Sequence, residues 1–226
     1  MTNSYRRLFD SIAPLKKEIC SMGIPKQFKL TVAAMILAVF AGACSSGKPF
    51  LAVQYQLPPS SQSLAGEKVY VAITDTRKNS DFLSETAKKS LRGFNGTYSL
   101  VVLKEDGSGN LLGAYDLNAL LSNIFQQKLS NMGIQIAAAQ ATADYELEIL
   151  LKEFKLDLVK RKWVINMSYE ANLLKNGNPQ AMETVNGSAE RLKVMGKSEA
   201  EKILSELLTD IVNKLDVDKL FQQARR

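Results

Sequence analysis

Alternating apolar and polar residues predict a β-strand over residues 68–74, KVYVAIT, with its valines and its isoleucine on one face. Residues spaced by two share one face of a strand, so this pattern is typical of a strand with one buried side. The strand ends at a polar tripeptide, Asp75-Thr76-Arg77. Residues 78–98 are polar and contain several glycines, and they predict a mobile excursion with at most one short helix.

A hairpin and a helix are predicted next. The runs SLVVLK and NLLGAY flank EDGSG, in which Asp106-Gly107 favours the positive φ angles of a tight loop. A helix then begins after Asp116, a plausible N-cap, and ends before Gly133. Its apolar residues form one broad stripe, which needs a sheet to cover it. Residues 134–136 predict a short strand, and an alanine-rich loop follows.

Three further strands are predicted between residues 145 and 194. In YELEILLKEFKLDL the apolar positions change parity around Lys152-Glu153, as one extra residue in a β-ladder would require. The next strand begins near Trp163. Asn176-Gly177 then indicates a tight hairpin turn into the last strand. The sequence therefore predicts a long bulged strand within an antiparallel meander.

The C-terminal part of the chain predicts a second amphipathic helix. Ser198 and Glu201 have the spacing of a capping box, and an apolar stripe follows them. Residues 216–226 predict a short final helix. The order of elements indicates the α+β class, with a single domain in which two amphipathic helices pack on one face of a mainly antiparallel or mixed sheet.

An apolar, uncharged stretch lies nearer the N-terminus, at residues 30–43, LTVAAMILAVFAGA. It is shorter than the about 20 residues that a membrane-spanning helix needs. Two lysines precede it and Cys44 follows it, which is the arrangement of a secretory signal peptide. The run Ala41-Gly42-Ala43 before Cys44 resembles the lipobox of bacterial lipoproteins, although leucine is the commonest residue at the position of Ala41.

The lipobox resemblance implies cleavage between Ala43 and Cys44, a diacylglyceryl group on the cysteine sulfur and acylation of the new N-terminus, often with palmitate. Ser45 after the cysteine favours sorting to the outer membrane. A signal peptide of ordinary length would start at Met22, which we expect to be the true translation start.

Three segments are therefore expected. Residues 1–43 are an upstream leader and signal peptide, and residues 44–66 are the lipidated cysteine and a flexible tether rich in Ser, Pro and Gly. Residues 67–226 are the globular α+β domain.

The net charge is much smaller when the predicted signal peptide and the leader before it are excluded. The whole chain of 226 residues carries a formal charge of +6. Six of the 29 Lys and Arg and two of the 23 Asp and Glu precede Cys44, so the chain from Cys44 onward carries +2. The sequence therefore gives no reason to expect a nucleic-acid partner.

Candidate catalytic chemistry is sparse. The chain contains no histidine and only two cysteines, Cys20 and Cys44, which cannot build a zinc cage. Glu146 and Glu148 share a strand face and could act as paired carboxylates, although a solvated face needs the same pattern. Ser84 and Lys88 have a serine–lysine spacing without any accompanying motif. We expect no cofactor and no metal.

Asp75 and Arg77 at a strand end and Trp163 beside a basic turn form a possible interaction surface. A local turn or ion pair is the alternative for Asp75 and Arg77. For Trp163, a place in the core is the alternative.

Several segments together resemble the YajG-type family of bacterial lipoproteins. They are the lipobox at Cys44 and the runs KVYVAITDTR, LNALLSNIFQQKLSNMGIQI, YELEILLKEF and EAEKILSELLTDIVNKL. The pattern also resembles the auxiliary lipoproteins of ABC-type lipid-transport systems. The resemblance implies an envelope-anchored α+β domain and carries over no catalytic residues.

We therefore expect a non-catalytic lipoprotein on the periplasmic face of the outer membrane of a Gram-negative bacterium. Its partners would be the membrane, through the lipid anchor, and an unidentified envelope protein or lipid. An auxiliary subunit of an ABC-type lipid transporter is the alternative, for which an apolar groove between helix and sheet would be the structural sign. An envelope hydrolase that uses two carboxylates is a further alternative.

Overall fold

The computed structural model describes residues 49–194 and 197–226. Within these residues the strands are β1 (Phe50–Gln56), β2 (Lys68–Asp75), β3 (Thr97–Leu103), β4 (Gly109–Tyr115), β5 (Gln135–Ile136), β6 (Tyr145–Val159), β7 (Lys162–Lys175) and β8 (Asn178–Leu192). The helices are α1 (Glu85–Ser90), α2 (Leu117–Asn131), α3 (Ser198–Lys214) and α4 (Val217–Ala224). None of them is long and apolar enough to cross a bilayer.

The strands form two sheets. One has the order β1-β3-β4, with β1 parallel to β3, and the other has the order β5-β2-β6-β7-β8, with β2 parallel to both of its neighbours. The β6-β7-β8 meander is antiparallel throughout. The α+β class predicted from the sequence is confirmed, although the strands divide between two sheets where one was expected.

Local signals in the sequence produce the expected local structures. The side chain of Asp116 accepts the backbone N–H of Ala119 at 2.8 Å and caps α2. The register of β6 against β7 shifts between Leu151 and Glu153, where the apolar parity changes. Asn176 has a positive φ of 51°, as the tight β7–β8 turn requires.

The excursion over residues 78–98 contains the single short helix that was expected, α1, but it is anchored in the core. Phe82 and Leu91 are buried. The ring of Phe82 stacks on Phe154 of β6 with centroids 4.7 Å apart and meets Tyr98 of β3 edge-on at 5.7 Å. These aromatic contacts link the two sheets.

The predicted flexible tether over residues 44–66 is wrong for Phe50–Gln56, which forms β1. Leu51, Val53 and Tyr55 alternate along the strand and are buried, and Leu64 is buried as well. The alternation of apolar and polar residues in this strand is short, and Ser-, Pro- and Gly-rich sequence flanks it, so the segment resembled a tether. Its pairing partner, β3, lies more than 40 residues away in the chain. The described fold therefore includes a strand that starts at Phe50, and in the sequence only four residues separate Cys44 from Pro49.

Strand β1 pairs with β3 on one edge only, and side chains of α3 bind its other edge. Backbone N–H groups of β1 donate to three α3 oxygens, from Ala52 to Glu201 Oε1 at 3.0 Å, from Gln54 to Ser205 Oγ at 2.9 Å and from Gln56 to Thr209 Oγ1 at 3.1 Å. Four helix residues rise about 6 Å and two strand residues about 6.6 Å. Acceptors spaced by four on a helix can therefore meet donors spaced by two on a strand. We call this set of bonds the edge ladder.

Asn213 extends the edge ladder by one more helical step. Its Oδ1 accepts the hydroxyl of Tyr55 at 2.8 Å, and its Nδ2 donates to the carbonyl of Gln56 at 3.1 Å. The predicted capping box is wrong, because the side chain of Glu201 binds β1 in the edge ladder and does not reach back to the start of its own helix. Ser198 lies inside the helix, Lys197 takes the N-cap position without a side-chain cap, and Glu201 binds β1.

Lys128 of α2 is buried, with 4% of its surface exposed, and caps the C-terminus of α3. Its ammonium group donates to the carbonyls of Val212 at 2.9 Å and Leu215 at 2.5 Å. A cation is favourable at this end of a helix because the last carbonyls lack partners and the dipole is negative there. Burial still lowers the pKa of Lys128 to about 8.

The double variant Ser205→Ala/Thr209→Val should lower the free energy of unfolding by about 2 kcal/mol, because two β1 N–H groups lose their acceptors while the helix keeps its apolar face. Urea unfolding measures the change. Lys202→Ala, on the exposed face of the same helix, is the control and should stay within about 0.5 kcal/mol of wild type. Equal effects of the two variants would contradict the edge ladder.

The free energy of unfolding should depend on pH through Lys128. Since its pKa is lower in the folded than in the unfolded chain, stability should rise between about pH 8 and pH 10, by roughly 2–3 kcal/mol. Burial raises the pKa of Tyr55, Tyr98 and Tyr169, so stability should fall again above about pH 10. Denaturant unfolding across this range should show the rise in wild type and lose it in Lys128→Met. A rise of the same size in Lys128→Met would refute the assignment.

Candidate functional site

The residues of the predicted lipid anchor, Ala43, Cys44 and Ser45, lie outside the described residues. They remain a prediction from the sequence.

Asp75 and Arg77, predicted as part of an interaction surface, form a local ion pair at the end of β2. The Arg77 guanidinium donates to both carboxylate oxygens of Asp75, at 2.9 and 2.7 Å, and to the carbonyl of Phe154 at 3.0 Å. Hydrogen bonds from Arg77 lower the pKa of Asp75. The Arg77 side chain is almost buried, so this pair braces the strand end against the β6 bulge and leaves little of the guanidinium free for a partner.

Trp163 is fully buried, with 0% exposed, and the prediction that it belongs to an interaction surface is wrong. It is the first inward residue of β7, and Lys193 lies over its ring with the ammonium 5.8 Å from the centroid. Of the basic residues beside it in sequence, Lys162 is the preceding strand position and is exposed, because successive side chains of a strand alternate between faces, whereas Lys160 and Arg161 lie in the β6–β7 turn. The core alternative is the correct one.

The serine–lysine spacing does not form a catalytic pair. Ser84 caps α1, and its hydroxyl donates to Asp157, as does that of Thr86. These bonds lower the pKa of Asp157. Lys88 instead binds Asp81 at 3.0 Å and Glu85 at 2.9 Å. These polar groups hold α1 on the outside of β6.

Glu146 and Glu148 share the solvent-facing side of β6, as their spacing indicated. Asn172 of β7 donates to Glu148 Oε2 at 3.3 Å and to Glu170 Oε1 at 3.2 Å, and Gln140 donates to Glu146. Across the described ranges, no group of three or more carboxylates or cysteines could hold a metal ion.

A groove with a volume of about 670 Å³ runs along the edge ladder, between β1 and α3. Apart from Leu103 its lining consists of polar or charged residues, which include Gln54, Gln56, Asp210 and Lys214. An apolar groove between helix and sheet was the expected sign of a lipid-transport subunit. The residues that line this groove are mostly polar or charged instead, because the side chains that cover the β1 edge are hydrogen-bonding ones.

Strand β8 has an edge without partners. It is the last strand of its sheet, 15 residues long, and pairs only with β7. The N–H of Lys193 bonds the carbonyl of Arg161 at 2.8 Å, which makes these two residues a hydrogen-bonded pair. Such pairs alternate along an antiparallel ladder. The odd-numbered residues of β8 from Ala181 onward therefore face β7, and the even-numbered residues 182–192 direct their N–H and C=O groups outward.

In the described part of the chain no backbone or side-chain group bonds these outward N–H and C=O groups. The neighbouring side chains include exposed Met182 and Leu192. Unpaired strand edges readily accept another strand, and proteins usually protect them with proline, lysine or a covering element. Residues 182–190 contain neither proline nor lysine. We call residues 182–192 the β8 edge. Sequence reasoning missed it because strand order decides which strand lies at an edge.

No protein-family model matches the chain, and no curated protein matches it. Solved structures do resemble it. A protein of the family DUF330 from Xanthomonas campestris is similar with a TM-score of 0.51 and 14% identity, over 78% of this chain and 99% of that one. This likeness shows a shared fold.

Two further solved structures are similar at lower scores. A minor lipoprotein from Acinetobacter baumannii has a TM-score of 0.37 and 8% identity, over 70% of this chain and 91% of that one. An uncharacterized lipoprotein B from Nitrosomonas europaea has a TM-score of 0.35 and 12% identity, over 75% of this chain and 83% of that one.

Proposed function

We propose that this protein is a non-catalytic, lipid-anchored lipoprotein of the cell envelope that binds an extended segment of another envelope protein at the β8 edge. The observation that carries the binding role is the contrast between two strand edges. The edge of β1 is bonded by α3 side chains, whereas the longer edge of β8 has no partner in the described part of the chain.

The anchor is supported by the sequence. The charge-free run before Cys44, the small residues of the lipobox and the YajG-type pattern all favour a lipidated cysteine, and Ser45 favours the outer membrane. The first described strand, β1, starts at Phe50, six positions after Cys44 in the sequence, so a lipid on Cys44 would hold the described domain close to the periplasmic face of the membrane.

Binding at the β8 edge would follow the general mode of β-strand addition. Main-chain hydrogen bonds supply affinity, and side chains at alternate positions supply specificity. Six even-numbered residues between 182 and 192 offer outward N–H and C=O groups, which is enough for an incoming strand of ordinary length. An auxiliary role in ABC-type lipid transport is a weaker candidate, because the residues that line the groove along α3 are mostly polar or charged.

Replacing Cys44 by serine should abolish incorporation of labelled palmitate, since the thiol that starts lipidation is lost. The measurement is palmitate labelling in cells, followed by fractionation. The Ser46→Ala variant is the matched control, because it changes a neighbouring residue and keeps the thiol, and its labelling should equal that of wild type. Labelling that persists in Cys44→Ser, or soluble export of both proteins, would overturn the anchor.

Thr184→Pro should abolish partner binding and leave the fold intact. The N–H of Thr184 faces outward, so proline there removes a donor from the β8 edge without breaking the β7–β8 ladder. A photocrosslinking residue at Asn186 in intact cells should capture a partner, and the crosslinked band should disappear in the Thr184→Pro background. Thr184→Val is the matched control and should keep the band.

Thr184→Lys provides a second disruptive variant if proline lowers stability, because a lysine also discourages edge pairing. Crosslinks that survive both disruptive variants, with circular dichroism unchanged, would contradict the assignment of the β8 edge. A crosslinked species of twice the chain mass would identify a second copy as the partner.

A further inference from the structure

Segments that are far apart in the sequence lie together at one end of the domain. Lys193, just after β8, donates its backbone N–H to Arg161 in the β6–β7 turn at 2.8 Å and its ammonium to Ser90 at the end of α1 at 2.8 Å. The N-terminus of β1 lies at the same end, where Asn95 donates to the carbonyl of Pro49 at 3.0 Å. We call this region the basic end.

Exposed cations crowd the basic end. Its exposed basic residues are Lys88, Lys89, Arg92, Lys160, Arg161 and Lys162. Lys88 and Lys162 form ion pairs with carboxylates, at 2.9 and 2.8 Å respectively. Among the described residues, Lys89, Arg92, Lys160 and Arg161 have no carboxylate within ion-pair distance. The near-neutral chain therefore carries a local excess of positive charge at this end.

Exposed apolar side chains lie among these cations. Val159 is 46% exposed, Leu192 is 63% exposed and Val194 is 71% exposed. Lys162 is the register partner of both Val159 and Leu192, so the three residues form one row across β6, β7 and β8. Cations interspersed with exposed apolar side chains are the composition of surfaces that bind the interface of an anionic membrane.

Pro49, the first residue that the structure describes, lies at this end of the domain. Four residues lie between Cys44 and Pro49, which makes five Cα–Cα steps, and an extended chain spans at most about 3.6 Å per step. A lipid on Cys44 would therefore hold Pro49 within about 20 Å of its attachment point. This step rests on the proposed lipid anchor.

We propose that the basic end docks on the headgroups of anionic phospholipids beside the anchor. The exposed side chains of Val159 and Leu192 contact the interfacial region. The four cations without a carboxylate partner contact lipid phosphates. Each cation near an anionic surface strengthens binding roughly fivefold and is screened by salt. This contact sets the orientation of the domain, with β8 running away from the membrane and the middle of the β8 edge free in the periplasm.

A test uses the full chain, expressed with its signal, purified from membranes and placed on vesicles of phosphatidylcholine with or without one quarter phosphatidylglycerol. Leu192→Cys and Met182→Cys are matched label sites, because both lie on the same strand and face, with 63% and 59% exposure. The chain from Cys44 onward has no other cysteine, so a lipidated product carries one free thiol. A headgroup-bound quencher should quench a fluorophore at residue 192 several-fold more than one at residue 182, and only on the anionic vesicles.

The combined variant Lys89→Gln/Arg92→Gln/Lys160→Gln/Arg161→Gln should remove this difference between the two labels, as should high salt. Equal quenching at residues 192 and 182, or a difference that the variant leaves unchanged, would overturn the proposal. Mass spectrometry of the same preparation reports the lipid separately. If Cys44 carries none, cosedimentation of the unlabelled chain with the two vesicle types tests the basic end alone, and the variant should bind anionic vesicles roughly a thousandfold more weakly.

Discussion

The side chains of α3 that bond the edge of β1 hold the first strand of the fold in place. Without them, β1 would depend on β3 alone, and its outward N–H groups at Ala52, Gln54 and Gln56 would lack protein partners. Unpaired strand edges attract other chains. The ladder works because four helical residues and two strand residues rise by nearly the same distance. A helix thus completes a sheet edge that a further strand would otherwise have to cover.

Two consequences follow for the rest of the molecule. Glu201 is committed to β1, so α3 begins without a side-chain cap, while Lys128 supplies the partners for the carbonyls at its other end. The residues that line the groove above the ladder are mostly polar or charged for the same reason. The basic end adjoins the start of β1, so the short stretch of sequence back to Cys44 would keep a lipid there within reach of the surface that we propose to face the membrane.

Much of the fold could be predicted from the sequence because its signals are local. The cap at Asp116, the parity change at Lys152-Glu153 and the Asn176-Gly177 turn depend on neighbouring residues, and each appears where it was expected. Strand β1 was missed because its pairing partner is remote. Asp75 and Arg77 form an ion pair with each other, and Trp163 is a core residue. The interaction surfaces that we propose therefore lie at the β8 edge and at the basic end, not at the three residues predicted from the sequence.

The sequence by itself determined the α+β class, most element boundaries and the expectation of a lipid anchor at Cys44, since these depend on periodicity, turn chemistry and a contiguous motif. Only the tertiary structure decided which strand edge α3 covers and which edge stays open. It also decided that cations from α1 and the β6–β7 turn meet beside Lys193. Strand order and the convergence of distant segments depend on contacts between residues far apart in the chain, and no local pattern encodes them.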